Sequence, residues 1–213
     1  MVIGGKAEGL RRLQELGLLV PPFVAVGVGE QLDDAPAELG DVLAVRSSAV
    51  GEDAADRSAA GQYETLLGVT RDGLRDAIAH VRGATARAQA YGAGTDVAVV
   101  VQRQVPATRA GVAFSRDPVT GEDVVLVECA LGGGEAVVSG LVTPDRYRVR
   151  GAEVRARAAG TVRTLRDDEA LAVAALVRRA EEGFGLPVDV EFCYDRRELW
   201  LVQCRPITTL HGT

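Results

Sequence analysis

Val188–Pro206 reads VDVEFCYDRRELWLVQCRP, two apolar runs joined by a charged link, and this pattern predicts a β-hairpin. Side chains alternate along a strand, so Asp189, Glu191 and Cys193 fall on one face and Val190, Phe192 and Tyr194 on the other. On the return run Leu199, Leu201, Gln203 and Arg205 share a face. A three-residue connection, Arg196–Glu198, pairs Asp195 with Leu199, and so sets Glu191 opposite Gln203 and Asp189 opposite Arg205. Four polar side chains then meet at the end of the ribbon far from the turn. As a plain strand face this is a cross-strand ion pair worth ~0.2–1 kcal/mol. As chemistry it is more: a carboxylate and an amide oxygen are hard ligands that suit Mg²⁺. An arginine beside them is placed for the phosphates such a cation bridges.

The rest of the composition narrows the choices. A chain of 213 residues, 47% hydrophobic and 25% charged, can bury a core without disulfides or structural metal. A net charge of −6 argues against nucleic acid or an anionic membrane as the main partner. Cys129, Cys193 and Cys204 each lie in an apolar run with no CxxC spacing, which predicts buried thiols acting as small hydrophobes. With only His80 and His211, histidine-based catalysis has little to work with. The N-terminus has no signal-peptide apolar region and no apolar run nears ~20 residues, so the expectation is a cytoplasmic protein.

Along the chain, AEGLRRLQELG predicts a helix stopped by Gly17, FVAV a strand, and Gly27–Asp41 a loop or poorly ordered connection. Val42–Ser48 and Thr65–Val69 read as strands around a loop at Gly51–Gln62, and Asp72–Tyr91 as a helix. Val97–Val105 is β-branched, Ala110–Ser115 with Asp123–Cys129 forms a second hairpin, and Asp167–Phe184 is a second clear helix. Lys6 follows two glycines at a helix start, where backbone amides and an ammonium group together can cradle a phosphate. Arg46 interrupts the apolar run VLAVRSS, so it either leaves the strand for solvent or faces an anion. Ser47 and Ser48 beside it read as further donors. Gln102 is a similar polar interruption in VVVQRQV.

Taken in order, IGGKAEGLRRLQELGLLVPPFVAV, AVRSSAVGEDAADRSAAGQYETLLGV, VVVQRQVPATRAGVAFSRDPVTG, LGGGEAVVSGLVTPDRY and FGLPVDVEFCYDRRELWLVQCRPIT resemble one family closely. It is the ATP-binding domain shared by phosphoenolpyruvate synthase, pyruvate phosphate dikinase and rifampicin phosphotransferase. The resemblance implies an α+β, ATP-grasp fold of two sheet-based lobes with nucleotide between them, residues 1–96 forming the N-terminal lobe and 97–213 the C-terminal one. It implies that Lys6 and Arg46 hold the ATP phosphates and that Gly61, Gln62 and Thr65 belong to a loop closing over the nucleotide. Gln102 then sits at the adenine end. Glu191 and Gln203 bind Mg²⁺ with Asp189 in support, and Arg205 contacts the transferring phosphates. In that family ATP is split in two steps to AMP, phosphate and a phosphorylated product, and a histidine on a swivelling domain carries the phosphoryl group.

Only about fifteen residues join Val26 to Val42, where the family has a helical insertion. The expectation is a form in which no histidine domain follows the Q-x-RP motif. The expectation is therefore an ATP- and Mg²⁺-dependent phosphotransferase whose acceptor is a small molecule or a histidine on a separate partner. The alternatives are a non-catalytic ATP-binding subunit or sensor, and an ATP-grasp ligase joining a carboxylate to an amine.

Overall fold

The computed structural model of the chain describes residues 3–49, 65–89, 97–133 and 142–207. The helices are α1 (Gly4–Glu15), α2 (Leu74–Gln89) and α3 (Asp167–Phe184). The strands run β1 (Phe23–Val26), β2 (Val42–Ala49), β3 (Thr65–Thr70), β4 (Val97–Arg103), β5 (Arg109–Phe114), β6 (Val125–Leu131), β7 (Asp145–Arg150), β8 (Glu153–Arg157), β9 (Val188–Tyr194) and β10 (Leu199–Pro206). They form two antiparallel sheets, one ordered β1-β4-β2-β3 and the other β10-β9-β5-β6-β7-β8. The chain divides accordingly into two compact units, Met1–Arg11 with Pro21–Gln104, and Arg12–Val20 with Val105–Thr213. The sequence reading put β4 with the C-terminal lobe. Its hydrogen bonds to both β1 and β2 place it at the centre of the first sheet.

In the first unit, α2 lays Leu74, Ala77, Ile78 and Val81 on Leu43, Val45, Val99 and Val101 of the sheet. Those strand positions alternate, as a sheet with one helix-covered face requires. On β4 the other face is buried too, through Ala98, Val100 and Gln102, which explains a near-continuous apolar run in a central strand. The stretch read as poorly ordered is held by arginines. Arg82 donates to the carbonyls of Gly27 and Glu30, both at 2.7 Å, and Arg71 to that of Gly40 at 3.1 Å. Within it Ala37–Leu39 makes a 3₁₀ turn that buries Leu39.

In the second unit, α3 turns Ala170, Val173, Ala174, Val177 and Ala180 to the six-stranded sheet, a helical stripe. Its bounds are those expected from sequence. Glu169 reaches back to the Arg166 amide at 2.8 Å to close its first turn, and the Gly185 amide donates to the Glu181 carbonyl at 2.8 Å beyond its last. Strands β7 and β8 were not separately foreseen. All three cysteines are free and buried. Burial pushes the Cys129 thiol up to about 11, which keeps it protonated and unreactive. Among the described residues, no helix is long and apolar enough to cross a membrane.

Candidate functional site

The β9–β10 hairpin brings the expected pairs together, but by another route. Gln203 stands opposite Glu191 and Arg205 opposite Asp189. Nearer the turn, however, Leu199 pairs with Tyr194, Trp200 with Cys193 and Leu201 with Phe192, and the register shifts between Leu201 and Gln203. The turn is thus one residue longer than expected, and a bulge at Val202 restores the pairing beyond it. Regular pairing from that turn onward would set Gln203 opposite Val190, on the buried face. The longer turn is closed by Asp195. Its carboxylate accepts from the amides of Arg197 at 2.7 Å and Glu198 at 2.8 Å, and from the Trp200 indole at 3.0 Å.

The bulge corrects one assignment. Leu199 and Leu201 share a face with Tyr194 and Phe192, not with Gln203. That face packs on α3, and Leu201 and Phe192 are buried in it. Gly111 of β5 lies under Phe192, and a Cβ there would sit 1.9 Å from the Glu128 carbonyl oxygen and 2.9 Å from the Phe192 ring. The same face holds Arg109 4.5 Å above the Tyr194 ring and 2.9 Å from Glu169. Arg109 holds the Glu169 carboxyl below its ordinary value, and burial pushes the Tyr194 phenol up to about 12. These groups lock α3 to β9 and so fix which side chains the opposite face presents.

That opposite face carries the polar set. Asp189 and Gln203 are 8% and 7% exposed, Glu191 is half-buried, and Arg205 is exposed. The Arg205 Nε donates to one oxygen of Asp189 at 3.0 Å, and Nη2 lies 2.9 Å from the same oxygen as an ion pair. A mostly buried carboxylate thus anchors an exposed guanidinium, and one oxygen of Asp189 is committed to it. The Glu191 carboxylate and the Gln203 amide face each other across the ladder and bring two oxygen ligands to the same face. They fit a hard divalent ion that takes its remaining ligands from phosphate and water. Among the described residues no group of three or more His, Cys, Asp and Glu is placed to hold a metal, so the amide of Gln203 is essential to this fit.

Across the sheet the row continues from Glu191 to Val112 of β5, Glu128 of β6 and Arg146 of β7. Glu128 stands about 10 Å from Glu191, two strand spacings, and pairs with Arg146 at 2.8 Å. The sequence reading passed over it. Its place opposite in phase to Val127 and Cys129, both fully buried, was the available signal.

In the first unit, Arg46 lies between Thr65 of β3 and Val100 of β4. It is half-buried and points away from α2, since Val45 beside it points toward α2. Gln102 is on the same side, 1% exposed, and donates to the Pro21 carbonyl at 3.5 Å. Lys6 sits in the first turn of α1. Ser47, read as a donor beside Arg46, pairs with Val99 and points to the α2 side instead. Ser48 is on the Arg46 side, but its hydroxyl donates to the Ile3 carbonyl at 2.6 Å and accepts from the Ala7 amide at 3.2 Å. Gly61 and Gln62 lie outside the described residues, and Thr65 is exposed at the start of β3.

Residues 27–162 and 151–213 match the family described as pyruvate phosphate dikinase, AMP/ATP-binding domain. The chain belongs to this family. Within the dikinase relatives, a rifampicin phosphotransferase from a Streptomyces species is 40% identical over 204 residues, covering 78% of this chain and 23% of that protein. A probable phosphoenolpyruvate synthase from Methanothermobacter thermautotrophicus is 36% identical over 205 residues, covering 79% and 30%. The chain therefore spans about a quarter of the curated relatives it matches. Among solved structures, the D-alanine–D-alanine ligase of Bacillus anthracis complexed with ATP aligns at a TM-score of 0.56 and 11% identity, covering 97% of this chain and 55% of that one. That likeness shows the fold: α+β, ATP-grasp-like. Of the residues named from sequence, Lys6 lies on α1, Arg46 and Gln102 on the first sheet, and Asp189, Glu191, Gln203 and Arg205 on the second.

Proposed function

We propose that this chain is the nucleotide-binding part of an ATP- and Mg²⁺-dependent phosphotransferase resembling phosphoenolpyruvate synthase and rifampicin phosphotransferase. The observation that carries the reading is the Glu191–Gln203 pair, held face to face by a bulge and flanked by the Asp189–Arg205 pair. In this reading the first unit supplies the phosphate cations Lys6 and Arg46 and the closing loop with Gly61, Gln62 and Thr65. The second unit supplies the metal ligands, and Gln102, on β4 of the first unit, contacts the adenine end.

Mg²⁺ held by Glu191 and Gln203 would supply positive charge against the negative charge that builds during transfer. The chain's own residues do the positioning. Glu191 and Gln203 present two oxygens from neighbouring strands. Asp189 holds Arg205 by a hydrogen bond and an ion pair at one oxygen, which fixes the guanidinium for the transferring group. Lys6 and Arg46 bind the remaining phosphate charge. None of these roles needs a histidine in this lobe, which suits a chain with two. The acceptor is a small molecule or a histidine on a separate domain, in the cytoplasm.

The test follows nucleotide products from ATP labelled at the β-phosphate, with Mg²⁺, with and without a histidine-domain partner. AMP and phosphate support the proposal. ADP points to simple kinase or ligase chemistry, and tight binding without turnover points to a sensor.

A further inference from the structure

Ser48 is buried at the end of β2, on the same face as Arg46 and two residues beyond it. Its hydroxyl spans the first turn of α1, donating to the Ile3 carbonyl at 2.6 Å and accepting from the Ala7 amide at 3.2 Å. Ala7 carries the fourth backbone N–H of the helix, the last of the donors a helix start leaves without an intrahelical acceptor. A side chain 41 residues away therefore does the work usually done by a local N-cap. The approach is close. Gly4 has φ +73°, and a Cβ there would lie 2.0 Å from the Ser48 carbonyl oxygen and 2.7 Å from its hydroxyl. Only glycine allows this contact. The same turn carries Lys6.

We propose that Ser48 is the positioning residue of the phosphate-binding cations: it clamps the helix turn bearing Lys6 against the strand bearing Arg46. This rests on the proposed role of Lys6 and Arg46 at the ATP phosphates. The clamp sets the place of the helix N-terminus and of Lys6 relative to Arg46 without touching the nucleotide. A charge misplaced by a fraction of a hydrogen-bond length loses most of its directional contact. Ser48→Ala removes both hydrogen bonds and leaves the Ala7 amide to water or to the Ile3 carbonyl, so the turn can slide.

The test is calorimetric titration of the 213-residue chain with Mg²⁺ and adenylyl imidodiphosphate, and separately with adenosine. Ser48→Ala is expected to raise the Kd for the triphosphate analogue about tenfold, the scale of a lost helix cap, while adenosine binds as before. In a Lys6→Ala background the same substitution should change the triphosphate Kd by less than about twofold, because the two act on one contact. Gly4→Ala keeps the hydroxyl but displaces the turn, so it should reproduce the selective loss if Ser48→Ala folds poorly. Ser48→Cys, a weak donor and acceptor of similar size, should recover part of it. Equal losses for adenosine and triphosphate, or additive effects of Ser48→Ala and Lys6→Ala, overturn the clamp and leave the proposed function standing. A wild-type chain that holds no triphosphate overturns both.

Discussion

Removing Arg205 should cost more stability than neutralising its partner Asp189. The Asp189 side chain is 11% exposed and that of Arg205 is 54% exposed. Arg205→Ala takes from a mostly buried carboxylate its charge-assisted hydrogen bond and ion pair, a penalty of about 2 kcal/mol. Asp189→Asn leaves a guanidinium that already meets solvent, and the lost pair is then worth only about 0.5–1 kcal/mol. For a chain of this length about 2 kcal/mol lowers Tm by roughly 4–8 °C, against roughly 1–4 °C for the smaller loss. The double variant should lie close to Asp189→Asn alone, since the buried negative charge is gone, with a coupling of about 2 kcal/mol. Thermal and urea denaturation followed by circular dichroism measure all three. Functionally the order reverses in its meaning: Asp189→Asn keeps the fold but releases Arg205, so affinity for the Mg²⁺–triphosphate analogue should fall several-fold. An Arg205→Ala variant as stable as Asp189→Asn, or strictly additive losses, would refute the reading of Asp189 as the anchor of Arg205.

Glu191→Gln and Gln203→Leu should each abolish the Mg²⁺ dependence of nucleotide binding by at least about tenfold while leaving the far-ultraviolet spectrum unchanged; retained Mg²⁺ dependence in both would sink the metal assignment. Gly111→Ala drives a methyl into the Glu128 carbonyl and the Phe192 ring and should cost about 1–3 kcal/mol or more in urea denaturation. Stability should also fall in alkali. Burial raises Cys129 from 9.0 to about 11 and Tyr194 from 10.0 to about 12, so the unfolded chain loses these protons first, and stability present below pH 9.0 declines as pH rises toward about 11. In acid the sign is opposite. Glu169 is held below 4.5 by Arg109, so its contribution is present above that value and is lost as pH falls through its folded-state range. A denaturation midpoint flat between pH 8 and pH 11 (roughly the window set by ordinary and raised thiol values) would contradict the buried thiol and phenol.

Much of the candidate site was readable because its signals are local. Alternation along Val188–Tyr194 separates Asp189 and Glu191 from Val190 and Phe192 without knowledge of any partner. Helix α3 was readable for the same reason, its apolar stripe and closing glycine lying within twenty residues of sequence. Where a reading depended on counting residues between strands it went astray even when its outcome was right. The pairing of Glu191 with Gln203 was expected from a three-residue turn, and arises from a longer turn compensated by a bulge. Turn length alone could not reveal this, because Asp195 stabilises the longer turn through side-chain acceptors. A bulge, in turn, is seen only against the neighbouring strand.

The sequence by itself determined the α+β class, the helices α1, α2 and α3, the buried cysteines and the identity of the polar groups Lys6, Arg46, Glu191, Gln203 and Arg205. Most follow from periodicity, Arg46 from the cost of burying a charge and Lys6 from its place after two glycines at a helix start, and all of these signals act over a few residues. Tertiary structure alone decided that β4 belongs to the first sheet, that Val202 is the bulge that keeps Gln203 on the Glu191 face, and that Glu128 joins the same row. It also gave the Ser48 hydroxyl, read as a donor beside Arg46, to the Ile3 carbonyl and to the Ala7 amide 41 residues away. Those outcomes depend on which strand or helix end lies alongside, and a hydrogen bond across such a distance leaves no periodic trace in the chain.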